Sequence, residues 1–224
     1  MATSSWRAVL RKDLMVEFRT RYGVSAVVMF LLVTVAVILF SAPNEQLAPS
    51  LMSAFFWIAL FFGAMTGLAR SFISEEERGT GLLLRLYAPA DSVYIGKLVF
   101  NVMMMLGLAI AAILFFLFFF TRDFSVQDWP MFLLQLGLGA AGIASVSTIL
   151  SALIGRAAQK GALLPVIALP VLTPLIIATT DATRITLEHA NTWQDIRGDI
   201  IILFSFDLVM ALFSYVLFEF IWKD

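Results

Sequence analysis

Leu98-Val-Phe-Asn-Val-Met-Met-Met-Leu-Gly-Leu-Ala-Ile-Ala-Ala-Ile-Leu-Phe-Phe-Leu-Phe-Phe-Phe-Thr121 contains no charged residue. The run exceeds the roughly 20 apolar residues that cross the hydrocarbon core of a bilayer. In that core every backbone N–H and C=O must be satisfied internally, so an uninterrupted run of this length predicts a helix. Five further stretches are free of charge or nearly so: Gly23–Ala42, Ala48–Ala69, Met131–Gly155, Gly161–Thr180 and Ile200–Trp222. The expected fold is therefore all-α, a polytopic membrane protein with six transmembrane helices in one domain over 1–224. Composition agrees, since 61% of residues are hydrophobic, 14% are charged and the mean hydropathy is +0.93. Those values exclude an ordinary soluble domain. The first run has no small-residue cleavage site after it, so it reads as a retained helix.

Basic residues set the expected orientation. Arg7, Arg11, Lys12, Arg19 and Arg21 precede the first run, Arg70, Arg78, Arg85 and Lys97 lie between the second and third, Arg156 and Lys160 follow the fourth, and Lys223 follows the sixth. The intervening connections hold only Arg122, Arg184 and Arg197. An excess of Lys and Arg marks the cytoplasmic side, which places both termini there. Residues 1–22 read as a cytoplasmic interfacial helix, with Trp6, Leu10, Leu14 and Phe18 recurring every fourth residue. Asp13 and Glu17 fall near that stripe, where a lipid-surface helix would bury them and a protein-contacting helix could pair them.

The connection 70–97 has three parts. Glu75, Glu76 and Glu77 form an acidic patch broken by Gly79 and Gly81, residues suited to a turn or a helix end. A short apolar helix is expected over Leu82 to Tyr87, stopping near Pro89, then a polar turn at Asp91 and Ser92. Gly96 and Lys97, a snorkelling lysine on the bland reading, lead into the third run. The order acidic cluster, Gly79-Thr80, Leu-rich stretch, Ala88-Pro89, Gly96-Lys97 resembles the cytoplasmic connection of ABC-2 type permeases. With Leu10-Arg-Lys-Asp-Leu14 and the Phe-rich third run, the whole chain resembles the CcmB family, the haem exporter subunit of cytochrome c maturation. Phe72, Glu75, Gly79 and Thr80 match the family's pattern, whereas Arg78 stands where an acidic residue is usual and Gly81 where Leu is usual. The resemblance implies a bacterial inner-membrane permease that forms a homodimer. It also implies contact with a separate ABC ATPase subunit through Phe72, Glu75, Glu76, Gly79, Thr80 and Pro89. A haem-handling membrane subunit and a periplasmic haem chaperone are further implied partners; nucleic acid is not.

The chain's own chemistry reads as non-catalytic. No Gly-x-x-x-x-Gly-Lys-Ser/Thr stretch is present, so ATP enters only through the partner. One histidine and no cysteine leave neither a zinc site nor a Cys–His nucleophile. No directly bound cofactor is expected, and haem enters as a possible substrate. Asp207, inside the sixth run, is a functional candidate as an intramembrane acid; alternatively its carboxyl is hydrogen-bonded to Ser205, Ser214 or backbone. Glu219 lies near the cytoplasmic end of that run, where it can snorkel, pair with Lys223 or face the ATPase. In the periplasmic loop expected over 179–199, a short amphipathic helix from Ile185 to Ile196 would put His189 and Trp193 on one face. The pair is a weak candidate for haem contact, against a solvated histidine and an interfacial tryptophan. In the fourth run Gly137, Ala141 and Ser145, and Ala140, Ala144, Thr148 and Ala152, form small-residue rows suited to close helix packing. Pro165, Pro170 and Pro174 predict a kinked fifth span. Three functions stay open: an ATP-coupled haem permease, a mechanical link between the ATPase and a haem-handling partner, and an ABC-2 permease for another substrate.

Overall fold

Apolar runs long enough to span a bilayer satisfy their backbone as helices, and the computed structural model bears this out. It describes residues 5–20, 22–41, 46–68, 75, 79, 84, 86, 88–154 and 160–223. Seven helices, and no strand, are defined among these residues: α1 (Ser5–Thr20), α2 (Tyr22–Ser41), α3 (Pro49–Gly67), α4 (Ala90–Phe119), α5 (Trp129–Ile154), α6 (Lys160–Glu188) and α7 (Trp193–Lys223). The six from α2 to α7 are long and apolar enough to cross a membrane. The chain is a multi-pass membrane protein.

α5 is the central helix. It packs against α3, α4, α6 and α7, while α2 lies outside in the seam of α3 and α4, and α1 rests on α4. Small side chains permit this, since α5 carries Gly139, Ala140, Gly142, Ala144, Ser145, Ser147 and Thr148, all buried. The closest approaches fall at positions other than the expected row. A Cβ on Gly139 would collide with Trp57 of α3 and Thr179 of α6, and one on Gly142 with Leu175 of α6, whereas one on Gly137 would meet nothing within 4 Å. At the end of the bundle far from α1, Phe56, Phe116, Phe124 and Phe132 pack with ring centroids 5.3–6.0 Å apart.

Several expected boundaries change. α4 begins at Ala90, so Asp91 and Ser92 lie in its first turn and not in a polar turn. α6 continues beyond Thr180 to Glu188 and α7 starts at Trp193, so the loop expected over 179–199 shrinks to a corner at 189–192. The cause is charge neutralised within the helix: the Arg184 guanidinium lies 2.6 Å from Asp181 and 3.0 Å from Glu188, one helical turn to either side. The helix expected over Ile185 to Ile196 is thus divided between α6 and α7. Pro165, Pro170 and Pro174 lie inside α6, whose buried row is Leu164, Ala168, Leu172 and Leu175; Pro170 and Pro174 are exposed on its outer side.

Candidate functional site

The inner face of α1 is not the stripe of every fourth apolar residue. Val9 is buried, Phe18 is 76% exposed, and Val9, Asp13 and Glu17 form the row turned toward the bundle. Gly96 makes this possible, because a Cβ there would stand 2.9 Å from both the Trp6 carbonyl oxygen and the Val9 Cβ. One residue on, Lys97 is wholly enclosed. Its ammonium lies 3.3 Å from Asp13 and 3.6 Å from Glu75. Lys12 lies 3.1 Å from the other Asp13 oxygen and donates to the same Glu75 oxygen.

Two cations and two carboxylates therefore alternate where α1, α4 and the connection between α3 and α4 meet. A lone buried ammonium costs several kcal/mol, and paired charges with matched hydrogen bonds offset that cost. Burial of Lys12 disfavours its charge, yet Asp13 and Glu75 together outweigh it and raise its pKa above the ordinary lysine value. Lys97 is thus no snorkelling residue, and Asp13 has its partner inside the chain. Glu17 is also used: its carboxylate accepts the Val24 N–H at 2.9 Å, satisfying a donor in the first turn of α2.

Of the residues expected to contact an ATPase, Glu75 belongs to this cluster. Gly79 has φ +67°, a left-handed conformation that glycine adopts without strain, and it is exposed. Pro89 is exposed and precedes the first turn of α4 with φ −65°. Phe72, Glu76 and Thr80 lie outside the described residues, as does the helix expected over Leu82 to Tyr87 except for Leu84 and Leu86, which are helical.

Asp207 stands in the α7 row Leu203, Asp207, Met210, Ser214 that faces the bundle. One of its oxygens is enclosed and has no hydrogen-bond partner among the described residues. It lies against Gly142, 2.7 Å from where a Cβ would be. Neither serine bonds to it: Ser205 is exposed, and Ser214 lies seven residues along the same face, roughly 10 Å away at 1.5 Å per residue. Glu219 is exposed near the α1 end of α7.

His189 and Trp193 sit at opposite sides of the α6–α7 corner, with no common helix. His189 has a side chain 69% exposed, 3.9 Å from Glu188, and Trp193 is 52% exposed. The corner is held by contacts that spacing did not signal. Asp128 accepts the Met131 N–H at 3.3 Å as the cap of α5, and also accepts the Thr192 N–H at 2.8 Å and the Thr192 hydroxyl at 3.0 Å. Burial opposes the Asp128 carboxylate, but these bonds outweigh it and hold its pKa below the usual range. Asn191, at φ 59°, makes the left-handed turn between the helices. Deeper in the bundle, Trp57 Nε1 and Gln135 Nε2 each donate to Thr183 Oγ1 at 2.8 Å, joining α3, α5 and α6. Asn101 of α4 donates to Thr148 of α5 at 2.8 Å.

No curated protein matches the chain. The family model described as CcmB protein matches residues 4–218, a stretch that takes in α2 to α6, the four-charge cluster and the connection between α3 and α4. On that match the chain belongs to the CcmB family.

Proposed function

We propose that this chain is the membrane subunit through which a separate ABC ATPase drives haem export or delivery in cytochrome c maturation, with residues 70–97 as the coupling segment. Membership of the CcmB family supports the haem export component. The observation that carries the coupling is the cluster of Lys12, Asp13, Glu75 and Lys97. Nucleotide-driven closure in a soluble partner moves membrane helices only through an element that contacts it differently in its two states. Glu75 ties such an element to α1 and to the buried start of α4, so displacement of the segment is transmitted to both. Outward contact with the ATPase then falls to Phe72, Glu76, Gly79 and Thr80, and Glu75 acts as a strut.

In this reading the segment and both termini are cytoplasmic, the membrane is the bacterial inner membrane, and two copies flank an ATPase pair. A haem-handling membrane subunit and a periplasmic haem chaperone complete the complex. The test separates strut from contact. Glu76→Lys is expected to lose the co-purifying ATPase at normal permease level. Glu75→Gln is expected to retain the ATPase while its stimulation and cytochrome c assembly fall. Normal stimulation and assembly in Glu75→Gln would overturn the strut.

The packing of α5 favours a second reading within the same complex. Gly139 and Gly142 bring α3, α6 and α7 against α5, so the centre of one copy is filled by a helix. That suits a mechanical link better than a passage for haem through a single copy. Crosslinking of a photoreactive haem analogue to the inner faces of α5 would decide for passage; labelling confined to a partner subunit would decide for the link.

A further inference from the structure

With Asp13 and Glu17 engaged inside the chain, the outer face of α1 is left without a carboxylate. Arg7, Arg11, Met15 and Phe18 stand on that face at intervals of four, four and three residues, with Arg19 beside them. All five are exposed, Met15 at 54% and Phe18 at 76%. The three guanidiniums have no acidic partner among the described residues; Arg7 lies over the Trp6 ring at 5.4 Å. Arg7, Arg11 and Met15 also border an open groove with Ala8, Lys12 and Val16. We propose that this face binds the headgroups of anionic phospholipids, with Met15 and Phe18 inserted among the first acyl segments. The inference rests on the six-span reading and is independent of any ATPase.

The chemistry favours lipid over a protein groove. Arginine presents a planar fork of donors matched to a phosphodiester. Basic side chains alternating with exposed apolar ones are the pattern of a helix held at an anionic bilayer surface. Position agrees, because α1 rests on the first turns of α4 and is separated from α2 by Arg21 alone. The bilayer surface therefore lies beside it. Each basic residue near such a surface changes binding about five-fold, an effect screened by salt.

The experiment is native mass spectrometry of the full-length chain in non-ionic detergent, titrated with phosphatidylglycerol or phosphatidylcholine of identical acyl chains. The wild type is expected to retain phosphatidylglycerol at least ten-fold better, and less so as ammonium acetate is raised. Arg7→Gln with Arg11→Gln and Arg19→Gln is expected to remove that preference at unchanged thermal stability. Arg122→Gln with Arg197→Gln, which removes exposed charge at the other end of the bundle, is expected to keep it. Equal retention of both lipids by the wild type, or an unchanged preference in the triple variant, would overturn the proposal. So would loss of a co-purifying protein from the triple variant with lipid preference intact, which would make the face a protein-docking surface.

Discussion

Lys97 and Asp207 are both charged residues in long apolar helices, and the structure treats them oppositely. Lys97 has two carboxylates within 3.6 Å, so its removal leaves Asp13 and Glu75 partly uncompensated. Breaking a buried pair from one side costs about 3–5 kcal/mol. Lys97→Met is expected to lower the melting temperature sharply in detergent, and adding Asp13→Asn to recover part of the loss; no recovery would mean that packing around the lysine stem sets the cost. Asp207 has an enclosed oxygen without a partner among the described residues, a poor setting for a carboxylate in lipid. An amide has similar shape and acceptor capacity, so Asp207→Asn is expected to preserve both folding and cytochrome c assembly. Lost assembly at normal protein level would show that the charge is used. Asp207 is marked by its place inside an apolar run, whereas nothing local marks Lys97 as buried, because a lysine's burial is decided by partners far away in the chain, at Asp13 and Glu75.

At the scale of the helix, the spans were legible because lipid leaves backbone groups no other partner, whereas their ends were not. Charge served as punctuation in the sequence, and Asp181, Arg184 and Glu188 ended the fifth span too early, since their mutual pairing along α6 allows the helix to continue. The small-residue rows of α5 showed a close-packed helix without showing its contact points. Gly142→Val is expected to destabilise the bundle by about 1–3 kcal/mol through overpacking against Leu175 and Asp207. Gly137→Ala, with nothing near, is expected to gain up to about 1 kcal/mol from helix propensity. Equal melting temperatures for the two variants would refute this placement of the seams. The corner between α6 and α7 makes a pH prediction. Asp128 has a lowered pKa in the fold, so its contribution is present above the ordinary aspartate value of about 3.9 and is lost as pH falls through the lowered value. Protection of the Thr192 amide, taken relative to its intrinsic exchange rate, is expected to fall only in that acid range, and in Asp128→Ala to be lost at every pH.

For the molecule as a whole, six spans return the chain to the side on which it began. Every odd-numbered connection, after α2, α4 and α6, then lies at one end of the bundle, with α1, the four-charge cluster and the last turn of α7 at the other. On the reading proposed above the second end is the cytoplasmic one: the excess of arginine and lysine supports it, and the proposed ATPase partner would require it, since nucleotide is available only there. The chain contains no cysteine, so single cysteines report sidedness against no background. Ser125→Cys and His189→Cys, both exposed, are expected to react with a membrane-impermeant maleimide on intact spheroplasts. Ala8→Cys, on the outer face of α1, and a cysteine at Lys223 are expected to react only after permeabilisation. Reaction of Ala8→Cys and of the Lys223 position on intact spheroplasts, with the first pair reacting only after permeabilisation, would invert the bundle and remove the coupling segment from any cytoplasmic ATPase. Reaction of the Lys223 position alone would mean an odd number of crossings, and with it the loss of one of the helices from α2 to α7 as a span.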